Sequence, residues 1–362
     1  MNRKAIWLLP VLLVCLCFTA LADGAAGALR EPVVEADEAM PGGARVTWSC
    51  VYFGSYPATE IVDGEFTAVP EEALRQGDVV SDKALYERLS QAEWTQGEAT
   101  LDGARYRRMQ AGDAVSWALA RPQHYAWDDE HSWHYFRYEP IKWRVIELND
   151  GVATLMADRL PDCAPFNTEA VDVFWENCTL RSFLNGYDAS ENLEGISFAD
   201  SPRDSFLNTA FSDSERQALV RGPVENANNY YFGTACGNDT EDFVYIMSES
   251  EVFSTELASR HGFVRSDGIG DAARRFTPTL YAMARGAWFS PVAGHEGNGF
   301  WFMRTSGYTP ANVTYICDFG YVYNRGIYVT CNDSGLLPVV RVDLSLAELA
   351  DAGVVCSDEM EG

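Results

Sequence analysis

Apolar and polar positions change rhythm several times along this chain, and each change predicts an element. Val46, Trp48, Cys50 and Tyr52 fall at every second place, the period of a half-buried strand, and Phe53, Gly54, Ser55, Tyr56 and Pro57 then predict the turn that ends it. Residues 71–89 space Leu74, Leu85, Tyr86 and Leu89 at helical intervals interrupted by Gly77, so one or two short helices are expected. Trp143, Val145 and Ile146 on one side of Asn149, Asp150 and Gly151, and residues 152–156 on the other, predict a hairpin. A short helix capped by Thr179 should bury Leu180, Phe183 and Leu184. Ser212 and Glu215 have the spacing of a capping box, in which each side chain accepts from the other residue's backbone NH. Residues 243–247 read as a strand, residues 248–253 as a helix start and residues 278–285 as another helix.

From Phe300 onward the pattern is one of short antiparallel strands. Asp318, Phe319 and Gly320, and again Asn324, Arg325 and Gly326, place glycine at the end of a three-residue turn, where a left-handed backbone is needed. Tyr321, Val322 and Tyr323 precede the second turn and Ile327, Tyr328 and Val329 follow it. Alternation along a strand puts Tyr321 and Tyr323 on one face and Val322 on the other.

The first residues bear on location. Arg3 and Lys4 precede an apolar run from Ala5 to Leu16, and Thr19, Ala20, Leu21 and Ala22 follow, the order of a secretory signal cut after Ala22. Pro10 and the shortness of the run argue against a membrane anchor. Val14 and Leu16, which precede Cys15 and Cys17, are not the small residues of a lipidation site. The expected organisation is a signal peptide over 1–22, a linker over 23–45, one domain over 46–345 and an acidic tail over 346–362, in a secreted or cell-surface protein. The net charge of −26 becomes about −28 once Arg3 and Lys4 are removed, which disfavours nucleic acid and anionic lipid as partners, and no later segment is apolar enough to span a membrane, so no membrane insertion is expected after cleavage. A hydrophobic fraction of 47% is that of a globular chain. Seven cysteines lie beyond the signal, and export would let them oxidise. Proximity favours Cys163 with Cys178 and Cys317 with Cys331, each closing a loop worth roughly 3 kcal/mol.

Six ordered landmarks carry a family resemblance: residues 53–57 (Phe-Gly-Ser-Tyr-Pro), 135–145, 175–185, 210–212 ahead of Glu215, 242–248, and 301–305 beginning at Trp301. On these, the chain resembles the bacterial family known as domain of unknown function 6273, over about residues 51–344. Met303 stands where a leucine is usual, and Leu336 and Leu337 where many members have valine and arginine. The resemblance implies an α+β domain similar to the C-type-lectin and sulfatase-modifying-factor fold, with short helices and a C-terminal antiparallel meander as its ligand-facing side.

Candidate ligand contacts are therefore Asn312, Tyr315, Asp318, Tyr321, Tyr323, Asn324, Arg325, Tyr328 and Asn332, a set with the rigid aromatic area and adaptable polar groups of a paratope or sugar platform. The alternative is that the tyrosines pack the core and the others serve turns. Asp128, Asp129 and Glu130 could bind calcium through carboxylate oxygens, and His131 and His134 close by could bind a transition metal, although the spacing matches no calcium loop and the composition reads as a solvated loop; the expectation is no cofactor, with calcium the alternative. Arg181 reads as a helix-surface residue and Glu215 as a cap. The chain has no GxSxG elbow, HExxH, P-loop or dinucleotide fingerprint, so the reading leans away from an enzyme. It is that of an exported protein binding a glycan or a protein surface; the alternatives are a secreted glycan-active enzyme, whose acid and base no spacing identifies, and a structural envelope module.

Overall fold

The computed structural model describes residues 29–40, 42–115, 123–187, 205–253, 255–265 and 270–360. The segment read as a signal lies outside them. Strands in the first half are β1 Val33–Ala36, β2 Ala44–Val62, β3 Val79–Ser81, β4 Glu98–Leu101, β5 Ala104–Met109, β6 His134–Asn149 and β7 Val152–Ala157. Those in the second half are β8 Gly222–Val224, β9 Thr240–Asp242, β10 Val244–Ile246, β11 Trp301–Ser306, β12 Asn312–Ile316, β13 Val322–Tyr328, β14 Pro338–Asp343 and β15 Ala350–Cys356. The helices are short: α1 Lys83–Ser90, α2 Thr179–Asn185, α3 Phe206–Ala210, α4 Asp213–Ala218, α5 Glu249–Val252, α6 Glu256–Arg260 and α7 Leu280–Arg285. The protein is thus mixed α and β, with mostly antiparallel sheets and few, short helices.

The two long strands β2 and β6 form the spine of a sheet ordered β1-β2-β6-β7-β14-β10, with β15 and β3 on β2 and with β5 on β6. The turn expected at residues 53–57 is absent, and β2 runs straight through them. Instead the register slips between Tyr52 and Ser55, a bulge at Phe53 and Gly54. Gly54 has φ +68°, and a Cβ there would lie 2.6 Å from the carbonyl oxygen of Ala210, so the bulge requires glycine both for its backbone and for its contact. The expected hairpin does form: Asn149 faces Val152, and Asp150 and Gly151 both have positive φ, the geometry of a two-residue turn whose twist suits the flanking strands.

Both expected ends of the domain need correction. The linker contains β1, which pairs with the start of β2, and the acidic tail contains β15, which pairs with β2 from Thr47 to Tyr52. The helical segment resolves into a 3-10 turn at Glu71–Ala73, strand β3 and helix α1. Cys178, not Thr179, caps α2, its sulfur accepting from the NH of Arg181, and Gly186 ends that helix in the left-handed conformation at φ 70°. The Ser212 and Glu215 capping box opens α4 as expected, and Glu215 also accepts from the NH of Gly54 at 3.1 Å.

One apolar cluster spans the molecule and contains the fully buried Trp48, Trp143, Trp175 and Trp301. Each indole NH has an acceptor: the carbonyls of His261, Phe53 and Arg274 for Trp48, Trp143 and Trp301, and the Asp242 carboxylate for Trp175. A buried donor left unpaired costs about 1–3 kcal/mol, so these bonds let the large rings be buried without that penalty. Arg181, expected on a surface, is buried and donates from Nε to Asp242 at 2.8 Å. Asp242 also accepts from Trp175, Tyr187 and Thr240, so the carboxylate has a full set of donors at a site without water access.

The expected disulfides are not present, and all seven cysteines among the described residues are free. Three of the four candidate thiols have other partners: Cys163 donates to the carbonyl of Asn332, Cys178 to that of Trp175 and Cys331 to the carboxylate of Asp333. Burial pushes Cys178 and Cys331 up to about 12, and Cys317 to about 11, so these folded thiols stay protonated near neutral pH.

Candidate functional site

A three-stranded sheet, β11-β12-β13, stands apart from the large one and carries the expected contact residues. Its β12–β13 turn is the one predicted at residues 318–320. Gly320 donates to the carbonyl of Cys317 at 2.9 Å with φ +81°, and a Cβ at that position would come within 2.0 Å of the Asp271 carbonyl oxygen. The second predicted turn is not a turn. Asn324, Arg325 and Gly326 lie inside β13, where Val313 faces Ile327 and Tyr315 faces Tyr323, so the extra residues form a bulge. Gly326 fits there because a Cβ would lie 2.5 Å from the Val313 oxygen.

The register places Tyr315 directly opposite Tyr323, and their rings stack with centroids 4.7 Å apart and planes 4° from parallel. From this pair a continuous aromatic ribbon extends both ways. On one side Phe300 meets Tyr315 at 5.8 Å and Trp288 meets Phe300 at 6.1 Å. On the other Tyr321 meets Tyr323 at 4.8 Å, Phe319 meets Tyr321 at 6.0 Å and His295 meets Phe319 at 5.9 Å. Several neighbours are turned about 70° to one another, so faces and edges alternate along the ribbon. Tyr321 and Tyr323 are 36% and 38% exposed while Val322 between them is buried, the alternation expected of the strand. The hydroxyls of Tyr315, Tyr321 and Tyr323 have no hydrogen-bond partner among the described residues. Burial raises the pKa of Tyr315, and the neighbouring Tyr323 adds to it, so both rings stay neutral donors near neutral pH.

The remaining expected contacts divide. Asn312 accepts from Thr309 of its own turn at 2.8 Å, and Asp318 faces His295 of the loop before β11 at 3.3 Å. Asn332 donates to the carbonyl of Val115. Asn324 donates to Glu249, whose pKa is raised by burial. Arg325 lies 5.0 Å from the ring of exposed Tyr308, and Tyr328 is 70% exposed.

A second exposed aromatic group, Tyr230, Tyr231 and Phe232 beside Tyr308, was missed, although three consecutive aromatics between Asn229 and Gly233 were a legible signal. Buried Asn229 anchors the group. Its amide donates to the carbonyls of Ser306 and Asn324, and its Oδ1 accepts from the NH groups of Tyr231 and Phe232. Phe300, Phe319, Trp288 and His295 were also missed, because only pairing between elements joins them to the tyrosines.

The acidic segment before β6 does not converge on a point. Asp129 accepts from the NH groups of His131 and Ser132, and the Ser132 hydroxyl and those NH groups lower its pKa. His131 is exposed, whereas His134 is buried with Nδ1 2.7 Å from Glu60 and 2.6 Å from the hydroxyl of Tyr125. Among the described residues no group of three or more His, Cys, Asp and Glu side chains is placed to hold a metal ion.

Residues 150–347 match the family described as domain of unknown function, DUF6273. The match takes in the landmarks from residue 175 onward and both parts of the aromatic surface; it is narrower than the 51–344 expected, and the landmarks at 53–57 and 135–145 precede it. The chain matches no curated protein and no solved structure.

Proposed function

The chain belongs to the DUF6273 family, and we propose that this member is an exported binding protein that holds a carbohydrate chain against the aromatic ribbon of β12 and β13. The observation that carries the reading is the Tyr315 and Tyr323 stack, set in a half-exposed ribbon whose hydroxyls the described residues leave unpaired. Rings held by strand register lose little entropy on binding, their apolar edges and faces suit the CH surfaces of sugars, and their hydroxyls can bond to sugar hydroxyls. Export belongs to the proposal and rests on the order of charged, apolar and small residues over 1–22. The C-type-lectin-like identity belongs to it as well, supported by short helices around antiparallel sheets and a closing meander with an exposed face. A glycan array probed with the chain lacking residues 1–22 tests the central claim. A bound glycan should lose about 1–2 kcal/mol of affinity in Tyr323→Ala, the range of an interface hot spot, and failure to bind any glycan would sink the reading.

A protein ligand is the second reading, favoured by Tyr230, Tyr231, Phe232, Tyr308 and Arg325, whose composition is that of protein hot spots. Tyr231→Ala separates the two. It should leave glycan binding intact and weaken only capture of a protein.

A further inference from the structure

Away from the ribbon, between β2, β6 and the segments 75–78 and 159–161, lies a cleft of about 430 Å³, within the range of small-molecule sites. Its lining carries the cations Arg75, Arg137, Lys142 and Arg159 against the carboxylates Asp78 and Glu139, in a chain whose net charge is −26. All but Arg75 face a carboxylate. Arg159 donates to both oxygens of Asp78 at 2.6 and 2.9 Å, and Arg137 donates to Glu139 at 2.7 Å. Lys142 lies 3.7 Å from Asp158, which Arg144 approaches more closely, at 2.6 Å. Despite burial, Arg144, Lys142 and Arg75 hold Asp158 below the usual carboxylate range, so it stays ionised among them.

Arg75 itself is an exposed residue whose Nη2 donates to the Thr277 hydroxyl at 2.7 Å. Among the described residues no carboxylate lies within ion-pair distance of its guanidinium, and its Nε and Nη1 have no hydrogen-bond partner there. Two contacts set it beside Arg159. Thr277 is followed by Pro278, whose carbonyl accepts from Arg159 at 2.7 Å, and the Asp78 oxygen Oδ2 accepts both from Arg159 and from the backbone NH of Arg75, each at 2.9 Å. Desolvation of the head group, and after it the charge of Arg159, lower the pKa of Arg75 to about 10, so the field at this point is positive although Asp158 and Asp78 act against it. Arg75 also borders a smaller cavity of about 240 Å³, where Glu72 and Glu296 offset it and Arg275, so the unmatched positive charge belongs to the larger cleft.

We infer that this cleft binds a small oxyanionic molecule, its carboxylate, sulfate or phosphate group received by the Arg75 guanidinium in the field of the neighbouring Arg159. A guanidinium presents its donors as a planar fork, and Thr277 occupies only part of that of Arg75, so the remaining donors can meet such a group. The bond to Thr277 also fixes the direction of the fork before the ligand arrives, which lowers the entropy lost on binding. The negative charge of the rest of the chain restricts entry to compact anions, since a large polyanion would be repelled.

Calorimetric titration of the purified chain at low ionic strength with inorganic sulfate, inorganic phosphate, glucuronate and, as the neutral control, glucose tests this. At least one anion should bind at a single site while glucose does not, and the tightest of the three distinguishes a carboxylated ligand from a sulfated or phosphorylated one. Arg75→Gln should weaken that anion about tenfold or more, the effect of removing a charged hydrogen-bond partner, and Arg75→Lys should weaken it less, since it keeps the charge and loses the fork. Arg88→Gln removes the same charge from a surface pair with Asp102 on α1 and should bind the anion as wild type does. If Arg75→Gln does not fold, Lys142→Gln replaces it and should weaken the anion severalfold through the field of the cleft. Binding of none of the anions, equal binding of glucuronate and glucose, unchanged affinity in the folded cleft variant, or an equal loss in Arg88→Gln would overturn the inference.

Discussion

Trp48, Trp143, Trp175 and Trp301 on one side, and Tyr315, Tyr321 and Tyr323 on the other, show two uses of aromatic residues in one chain. The tryptophans are fully buried and every indole NH reaches an acceptor, in one case the Asp242 carboxylate that also neutralises Arg181. The tyrosines lie partly in solvent on a small separate sheet, and their hydroxyls find no acceptor among the described residues. Polar satisfaction is what distinguishes them. A ring whose polar atom is paired internally is part of the core, whereas one whose polar atom faces water can exchange that water for a ligand.

The largest effect that would sharpen this contrast is expected at the buried hub. Arg181→Ala leaves Asp242 ionised and without its cation, and urea denaturation should show a loss of about 3–5 kcal/mol. A loss below about 1 kcal/mol would mean that the hub is solvated, and the contrast with the ribbon would fail.

The buried thiols come next. Cys50 is pushed up to about 12, first by burial and then by Asp158, and burial carries Cys178 to about the same value. A thiol whose folded pKa is raised contributes stability that is fully present below its ordinary value near 9 and is lost as pH rises from there through about 12. Denaturation at about pH 10 should therefore show roughly 1 kcal/mol less stability per such group than at neutral pH. Non-reducing peptide mapping of the same samples should recover neither a Cys163–Cys178 nor a Cys317–Cys331 link.

The smallest effect concerns the ribbon itself. Tyr323→Ala should cost no more than about 1 kcal/mol of stability and the exposed Arg325→Ala within about 0.5 kcal/mol, in the range of surface substitutions. A cost near 3 kcal/mol for Tyr323→Ala, the signature of a truncated core aromatic, would place Tyr323 with the tryptophans.

Local chemistry was legible. The capping box of Ser212 and Glu215, the hairpin at Asp150 and Gly151 and the turn at Gly320 depend on neighbours within a few residues, and the sequence predicts each of them. Arg181 was not legible, because its partner Asp242 is 61 residues away in sequence and the packing of α2 against β10, just after Asp242, brings them together. The two motifs ending at Gly320 and Gly326 look alike in sequence and form different structures. Asn324 is tied by its side chain to Glu249 and by its carbonyl to Asn229, and these distant partners hold the second motif inside β13 as a bulge.

The sequence by itself determined the hairpin at Asp150 and Gly151, the turn at Gly320 and that Tyr321 and Tyr323 share a face, because these follow from backbone geometry and the spacing of side chains over a few residues. Only the tertiary structure decided that those tyrosines join Tyr315, Phe300 and Phe319 in one ribbon, and that the seven cysteines among the described residues stand as free thiols. Each of these depends on which distant groups meet and on which are withheld from water, and pairing across the sheets settles both.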